Sequence, residues 1–258
     1  MLKKRIIPKF LIKDGRLVKG VRFHENMRQA GNPVTTAKVY DAYGVDELIF
    51  LDIQATLEGR QTVINIIENV SKEIFMPFTV GGGVNSLEHI NDLLRAGADK
   101  VSINTAAVED PSFVRKAAAR FGDQCITVTI DYKMTENGEF RVFSHGRQKQ
   151  TDLDPISWAL RMEHEHCGEI ILCSIDRDGT MEGYDLQMIS ILSQQLRVPL
   201  IASSGAGSLN DCMAAFQSGA SAITVSSMFI FTDHSPIKLR SYLFSNNINV
   251  RANWGSRS

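Results

Sequence analysis

Asp131 ends a predicted buried strand and is the clearest candidate for acid–base chemistry in this sequence. A carboxylate at the carboxyl end of a parallel strand can give or take a proton at the mouth of a barrel. The alternative is a structural aspartate that only accepts hydrogen bonds there. Other carboxylates that follow predicted strands are Asp52, Asp176 and Asp178. We expect the loop Asp178-Gly179-Thr180 to face a ligand, whereas Asp52 could equally be a structural partner of a basic group.

Two small-residue turns could bind anions. Gly81, Gly82 and Gly83 follow one strand and precede a helix, so backbone N–H groups there can converge on a phosphate. With Asn104 and Thr105, after the next strand, they form the predicted first seat. The second half of the chain repeats this pattern in a predicted second seat of Ser203, Ser204, Gly205, Ser226 and Ser227. A ligand with a phosphate at each end would fit the two seats. The alternative is that the glycines only permit tight turns.

Four charged residues mark the starts of predicted strands: Arg5, Glu47, Lys100 and Glu169. If they face inward, two positive and two negative side chains would form a compensated ring across the floor of a barrel, because an unpaired buried charge is costly. The alternative is that they are ordinary solvated charges. The histidines and cysteines lack metal-site spacing, so we expect neither a metal nor a cofactor.

The two halves of the chain resemble each other. A shift of 122 residues aligns 77–105 with 199–227 and places Gly83 on Gly205. With a shift of 120 residues, 5–11 lies on 125–131, which makes Leu11 the counterpart of Asp131. Repetition at a fixed offset indicates a duplicated supersecondary unit.

Strands and helices alternate eight times along the sequence. Apolar runs typical of strands buried on both faces lie near 5–11, 47–53, 77–81, 99–103, 125–131, 169–175, 198–202 and 222–226. Helices are predicted near 33–44, 60–72, 86–96, 111–121, 154–167, 185–195, 208–218 and 236–246. This order predicts a single-domain α/β fold over 1–250, a (β/α)8 TIM barrel with a half-barrel repeat. An open doubly wound sheet is the alternative, and 251–258 resembles a cloning remnant.

Two segments decorate the predicted carboxyl-terminal rim. The pair Asn137-Gly138 predicts a hairpin after the fifth strand. The segment 13–32 is polar and basic, and we interpret it as a long loop of the kind that acts as a mobile lid or contacts substrate.

Composition excludes several classes of protein. A hydrophobic content of 43% and a net charge of -1 suit a soluble globule and offer no field that attracts nucleic acid or an anionic membrane. The four cysteines are scattered, as in a reduced cytoplasmic protein. Pro8 and Lys9 interrupt the first apolar run, which excludes a signal peptide. We therefore expect a cytoplasmic protein that binds neither nucleic acid nor membrane.

Motifs along nearly the whole chain resemble those of the HisF family, the cyclase subunits of imidazole glycerol phosphate synthase. They include Arg5-Ile-Ile-Pro, Lys13-Asp-Gly-Arg, Phe78-Thr-Val-Gly-Gly-Gly, Gly97-Ala-Asp-Lys-Val-Ser-Ile-Asn-Thr and Ser174-Ile-Asp-Arg-Asp-Gly-Thr. The resemblance implies a barrel that takes ammonia from a HisH-like glutaminase docked on its floor. It also implies conversion of the doubly phosphorylated nucleotide PRFAR into imidazole glycerol phosphate and AICAR. By resemblance, Arg5, Glu47, Lys100 and Glu169 form the ammonia gate, and Asp99 contacts the glutaminase.

The sequence departs from the family where chemistry would occur. Leu11 stands where the family has a second catalytic aspartate, Lys9 replaces a cysteine, Cys173 a threonine and Ser204 a glycine. Loss of one acid–base group typically costs about 100- to 10,000-fold in rate. We therefore interpret the chain as a HisF paralogue with impaired cyclase chemistry, resembling those of surface-polysaccharide (O-antigen, lipopolysaccharide) pathways, which pass ammonia to a separate sugar amidotransferase.

Two alternatives stay open. One is a genuine cyclase of histidine biosynthesis, in which Asp131 works alone or with Lys9 as a substitute base. The other is a scaffold that activates a glutaminase without conducting ammonia. A phosphorylated ligand is expected under either enzyme reading.

Overall fold

A computed structural model describes residues 2–21, 25–58 and 64–251. Its strands are β1 (Arg5–Lys13), β2 (Arg16–Val21), β3 (Glu25–Gly31), β4 (Leu48–Asp52), β5 (Phe78–Gly81), β6 (Lys100–Ile103), β7 (Ile126–Met134), β8 (Phe140–Ser144), β9 (Lys149–Gln150), β10 (Glu169–Ser174), β11 (Leu200–Ser203) and β12 (Ala222–Val225). Its α-helices are α1 (Pro33–Ala42), α2 (Ile64–Ser71), α3 (Leu87–Arg95), α4 (Thr105–Glu109), α5 (Ser112–Phe121), α6 (Pro155–His164), α7 (Leu186–Gln195), α8 (Leu209–Gln217), α9 (Ser227–Phe231) and α10 (Pro236–Ser245).

Eight of the strands close into a parallel barrel. The order around it is β1, β4, β5, β6, β7, β10, β11 and β12, and β1 pairs again with β12. Helices cover the outside and bury a large apolar core against the strands. The predicted (β/α)8 barrel is confirmed, and the open sheet is excluded because the pairing of β7 with β10 closes the ring and gives each of the eight strands a parallel neighbour on both sides.

Two hairpins rise from the carboxyl-terminal rim. The predicted one is confirmed, since β7 continues to Met134 and pairs antiparallel with β8 around a turn that contains Gly138 at φ 78°. The prediction of a long loop at 13–32 is wrong, because β2 and β3 form a hairpin that extends β1. The turn between β1 and β2 is Asp14-Gly15, with φ values of 50° and 73°, and Asp-Gly is a strong hairpin signal.

Smaller differences concern the helices. Helix α2 begins at Ile64, and the earlier part of its predicted range falls on 59–63, outside the described residues. The short helices α4 and α9 were not predicted, because five residues are too few to show a helical period. Residues 252–258 also lie outside the described part, so the assignment of the tail stays a prediction.

The two halves of the barrel begin alike. Strands β1 and β7 each have nine residues and run beyond the barrel into a hairpin. Leu11 pairs with Val18 in the first hairpin, and Asp131 pairs with Phe143 in the second. The half-repeat therefore holds at the level of register, and it places Leu11 and Asp131 at matching positions of the rim.

Candidate functional site

The four charged residues at the strand starts meet in one ring across the floor of the barrel. Arg5 contacts Glu47 (Nη1 to Oε2, 2.9 Å) and Glu169 (Nη2 to Oε1, 2.7 Å). Lys100 Nζ contacts the same two carboxylates, at 2.9 Å and 2.8 Å. Burial lowers the pKa of Arg5, but Glu169 and Glu47 outweigh burial and raise it above its ordinary value. Positive and negative groups alternate, so the ring is charge-compensated.

Above this ring, one wall of the barrel is apolar. Ile7, Ile49 and Ile171 each lie two residues beyond a ring member and therefore point to the same side as that member. With Ile201 and Ala222 they form a buried cluster separate from the main core. A charged molecule would lose its hydration in crossing this layer.

Hydroxyl groups line the opposite wall. Thr79 Oγ1 donates a 2.6 Å hydrogen bond to Glu47 Oε1, and higher up Ser102 and Thr129 share a hydrogen bond of 2.6 Å. Thr127 lies two residues before Thr129, and its buried hydroxyl has no hydrogen-bond partner within the described ranges. The interior thus offers polar contacts from the floor to the mouth.

At the mouth, Asp131 is held from both sides. Asn104 Nδ2 donates to Asp131 Oδ2 at 2.9 Å, and Arg147 Nε lies 2.9 Å from Oδ1. Two donors, one of them a cation, therefore fix the position of the carboxylate.

Arg147 links three groups across the mouth. Besides Asp131, its Nη1 contacts Asp178 Oδ2 at 2.7 Å, and its Nη2 donates to Cys173 Sγ at 2.9 Å. Burial lowers the pKa of the guanidinium, but Asp131, Cys173 and Asp178 raise it above its ordinary value. The side chain is 5% exposed and comes from a turn in which His145, Gly146 and Arg147 all have positive φ. Arg147 is thus a permanent cation between the two halves.

Lys9 points into the barrel from β1. It is 2% exposed, donates to Ser203 Oγ at 2.6 Å and lies 3.6 Å from Cys173 Sγ. Ser203 Oγ also accepts a hydrogen bond from Thr224 Oγ1 at 2.8 Å. The contacts of the ammonium are therefore a hydroxyl and a thiol.

Lys19, from the hairpin strand β2, contacts Asp178 (Nζ to Oδ1, 3.2 Å). Burial raises the pKa of Asp178, but Lys19, Arg147 and Lys9 outweigh burial and hold it well below its ordinary value. Burial lowers the pKa of the Lys19 ammonium, and repulsion by Lys9 and Arg147 acts in the same direction, against the attraction of Asp178. Several charges thus crowd into a small buried volume.

The side chain of Leu11 lies among other apolar side chains. It is 1% exposed and clusters with Val18 and Ile53. The rim position that matches Asp131 is therefore part of a small hydrophobic core.

The first seat borders a cleft of about 610 Å³ that also reaches Asp131. Gly82 is required there, because a Cβ atom would lie 2.0 Å from the carbonyl oxygen of Asp52. The Gly83 amide donates to Thr56 Oγ1 at 3.1 Å, and Thr105 Oγ1 accepts from the His145 amide at 2.9 Å. Asp52 itself accepts from two amides of its own loop, which supports its structural role.

The second seat borders a smaller cleft of about 260 Å³. Predicted residues that line it are Asp178, Gly179, Ser204, Gly205, Ser226 and Ser227, together with Lys9 and Lys19. Ser203 lies deeper and is engaged by Lys9, while Thr180 Oγ1 donates to the Arg177 carbonyl. Ser204 adopts a φ of 82°, and its hydroxyl lies 3.1 Å from Cys173 Sγ. The structure thus brings most of the predicted residues together around two clefts.

Comparison with known proteins agrees with this arrangement. Residues 5–235 match the family described as "Histidine biosynthesis protein". A relative from Hydrogenobaculum sp. (strain Y04AAS1), named imidazole glycerol phosphate synthase subunit HisF, is 46% identical over 252 residues, which cover 97% of this chain and 100% of the relative. This chain belongs to the HisF family.

Two charged groups of this HisF-family site were missed from the sequence, Arg147 and Lys19. Lys19 lies in the hairpin that the Asp14-Gly15 turn could have revealed. Arg147 follows the predicted hairpin strand β8, but no spacing in the sequence connects it with Asp131 or Asp178. Tertiary structure alone brings these three residues together.

Other features are reported for the described ranges only. There, His, Cys, Asp and Glu side chains form no cluster that could hold a metal ion. No α-helix within them is both long enough and apolar enough for a membrane span. All four cysteines are free thiols.

Proposed function

We propose that this chain is the barrel subunit of a glutamine-dependent amidotransferase complex. It receives ammonia from a HisH-like glutaminase at its floor and conducts it to the mouth, while its own cyclase chemistry is impaired. The observation that carries the proposal is Leu11, which is buried in an apolar cluster at the rim position matching Asp131. A single remaining carboxylate cannot serve as both the acid and the base of a coupled pair.

The state of Asp131 supports the loss of cyclase chemistry. Arg147 and Asn104 occupy both of its oxygens. A substrate must therefore compete with these two donors for the Asp131 carboxylate.

The floor supports a partner subunit. Asp99 is exposed there, although its Oδ2 accepts a hydrogen bond from the Phe78 amide at 2.9 Å. Phe75 and Leu2 precede barrel strands on the same side, and each is 88% exposed. Exposed large apolar groups beside charges are typical of protein interfaces. We propose that the glutaminase covers this surface, with Asp99 as one contact.

The interior supports conduction of a neutral molecule. Arg5, Glu47, Lys100 and Glu169 would act as the gate, because the ring must open for ammonia to enter. The isoleucine layer disfavours the ammonium ion, since an unpaired charge is costly in an apolar medium. The hydroxyl wall can hydrogen-bond to ammonia on its way, and it includes Thr127, whose hydroxyl has no partner among the described residues.

For the recipient we propose a separate sugar amidotransferase, by resemblance to paralogues of surface-polysaccharide pathways. The four free thiols fit a reducing compartment, so we propose that the complex works in the cytoplasm.

Steady-state conversion of PRFAR with ammonium salt tests the first part of the proposal. We expect turnover at least about 100-fold below that of the Hydrogenobaculum relative under the same conditions. The double variant Leu11→Asp with Lys9→Cys should raise it. Turnover equal to that of the relative would overturn the proposal and would favour a genuine cyclase, which the 46% identity makes the principal alternative.

A gate variant separates conduction from scaffolding. In the complete complex, Glu169→Leu should lower glutamine-dependent product formation while glutaminase turnover persists. Glu182→Leu is the matched control, because Glu182 is exposed and lies at the carboxyl-terminal rim, at the opposite end of the barrel from the ring. If product formation is the same in both variants, ammonia does not pass through this barrel.

A further inference from the structure

We infer that Lys9 is a nucleophile that forms an imine with a small hydroxylated aldehyde or ketone, such as the open-chain form of a sugar. The proposed function gives this buried amine no role, and the inference does not rest on it. Four observations carry the inference: the position of Lys9 in the barrel, the groups around its Nζ atom, the charges at the mouth, and the cleft that Lys9 lines.

Lys9 lies inside the barrel, near the mouth. Arg5 and Ile7 precede it at alternate positions of β1, and alternate residues of a strand share a side. Its side chain is 2% exposed and lines the second cleft. Active sites of this fold lie at the carboxyl-terminal ends of the barrel strands. Lys9 is thus a primary amine at the place where a substrate of this barrel would bind.

The Nζ atom of Lys9 has a hydroxyl and a thiol beside it. It donates to Ser203 Oγ at 2.6 Å and lies 3.6 Å from Cys173 Sγ. Among the described residues, no carboxylate lies within ion-pair distance of it. A lysine amine becomes a nucleophile when it is desolvated or lies near another cation. Lys9 meets both conditions, because it is buried and close enough to Lys19 for the two side chains to repel each other.

The charges at the mouth balance without Lys9. Asp178 contacts Lys19 and Arg147. Arg147 also contacts Asp131. These two cations and two carboxylates compensate one another, so an ammonium ion at Lys9 adds a charge without a counter-ion. An unpaired buried charge is costly, whereas a neutral imine at Lys9 leaves the balance intact.

The second cleft suits a small molecule with hydroxyl groups. Its volume of about 260 Å³ lies below the range of about 300–1,000 Å³ that is typical of sites for drug-sized ligands. The hydroxyl groups that line it come from Ser204, Thr224, Ser226 and Ser227. A hydroxyl can both donate and accept a hydrogen bond, so these groups can hold the hydroxyls of a sugar. The substrate is therefore a short carbonyl compound that carries hydroxyl groups.

Imine formation consumes only the amine and the carbonyl compound and releases water. In its neutral form, the Lys9 amine bonds to the carbonyl carbon, and one of its protons moves to the carbonyl oxygen to give a carbinolamine. The carbinolamine then loses water, which takes its hydroxyl group and the second proton of Nζ, and a C=N bond remains. The Ser203 hydroxyl, 2.6 Å from Nζ, is placed to relay these protons.

Borohydride trapping on the full chain tests the inference. Hydride converts an imine into a stable secondary amine, and mass spectrometry of peptides then locates the labelled lysine. The probes are dihydroxyacetone and dihydroxyacetone phosphate. Faster labelling by the second probe would identify a sugar phosphate as the substrate class, and equal labelling a neutral sugar; both results support the inference. Glutaminase, glutamine and ammonia are absent, so a failure of ammonia conduction does not affect the outcome.

We expect Lys9 to be labelled at least about tenfold faster than any exposed lysine. Exposure alone predicts the reverse order, because Lys9 is 2% exposed and the side chains of Lys38, Lys116 and Lys238 are 54–57% exposed. Lys9→Met should abolish the fast labelling. Lys13→Met removes an amine from the same strand without lining the cleft, and it should keep the fast labelling. If Lys9→Met does not fold, Lys9→Arg keeps the cation and tests the same loss.

Three results would each overturn the inference. They are no label at Lys9 with either probe, label at Lys9 that forms no faster than label at the exposed lysines, and fast labelling that persists in a folded Lys9 variant.

Discussion

Replacing Arg147 with methionine should destabilise the barrel far more than loss of a surface charge. The side chain is 5% exposed and makes polar contacts of 2.9, 2.7 and 2.9 Å to two carboxylates and a thiol. Breaking a buried ion pair by removing one partner costs about 3–5 kcal/mol. Asp131 keeps Asn104, and Asp178 keeps Lys19, so we expect a loss within that range. For a domain of this size it lowers the melting temperature by roughly 6–20 °C.

Thermal unfolding followed by circular dichroism measures this effect. Arg120→Met is the control, because its ion pair with Glu88 is exposed and 3.4 Å long and should contribute less than about 1 kcal/mol. A double-mutant cycle with Asp131→Asn should give a coupling energy of about 1 kcal/mol or more. A melting temperature of Arg147→Met within about 2 °C of the parent would refute the reasoning.

Two further predictions concern stability. Burial lowers the pKa of His89 below its ordinary 6.5. Its Nε2 has no partner within the described ranges, so the unfolded chain binds the proton more readily. The contribution of His89 to the free energy of unfolding should therefore be complete above pH 6.5 and fall as the pH drops below it. His89→Leu should reduce that fall, measured by urea unfolding at about pH 7.5 and about pH 5.5. Equal falls in the variant and the parent would contradict this prediction. Gly138→Ala should cost about 1–2 kcal/mol for its left-handed backbone alone. Gly205→Ala should cost about 3–5 kcal/mol, because its Cβ would lie 2.1 Å from the Gly183 carbonyl oxygen. If denaturant unfolding gave similar losses for Gly138→Ala and Gly205→Ala, this contact would not be the cause.

The barrel was predictable because its strands are buried on both faces and its halves repeat. The apolar runs of the strands and the repeat of the two halves can both be read along the sequence, without knowing which elements contact each other. Strands β2 and β3 were missed because they carry charged residues and alternate poorly. The decisive signal for the β1–β2 hairpin was a single dipeptide, Asp14-Gly15, and the same kind of signal correctly predicted the hairpin at Asn137-Gly138.

The residues of the site also divide into those that the sequence predicted and those that it did not. Asp131 was found because a barrel brings the carboxyl ends of its strands to one mouth, and Lys9 and Leu11 were found because they depart from the motif of the HisF family. Arg147 was missed because its position depends on how a hairpin folds back over that mouth. Ser204 made the second seat the less certain one from sequence, whereas in the structure this seat has two lysines, since Lys19 reaches it from β2.

Closure of the barrel has a consequence for how the chain is made. Lys4 Nζ donates to the Ala220 carbonyl, which lies 216 residues further along, and β1 needs β12 as a neighbour. Until the ribosome has released β12, β1 and β11 each present an open edge, and open edges pair readily with other chains. The floor ring likewise waits for Glu169 to reach Arg5. Strand β1 thus waits longest for its second native neighbour, so its edge is the part of the barrel that needs protection longest in the nascent chain.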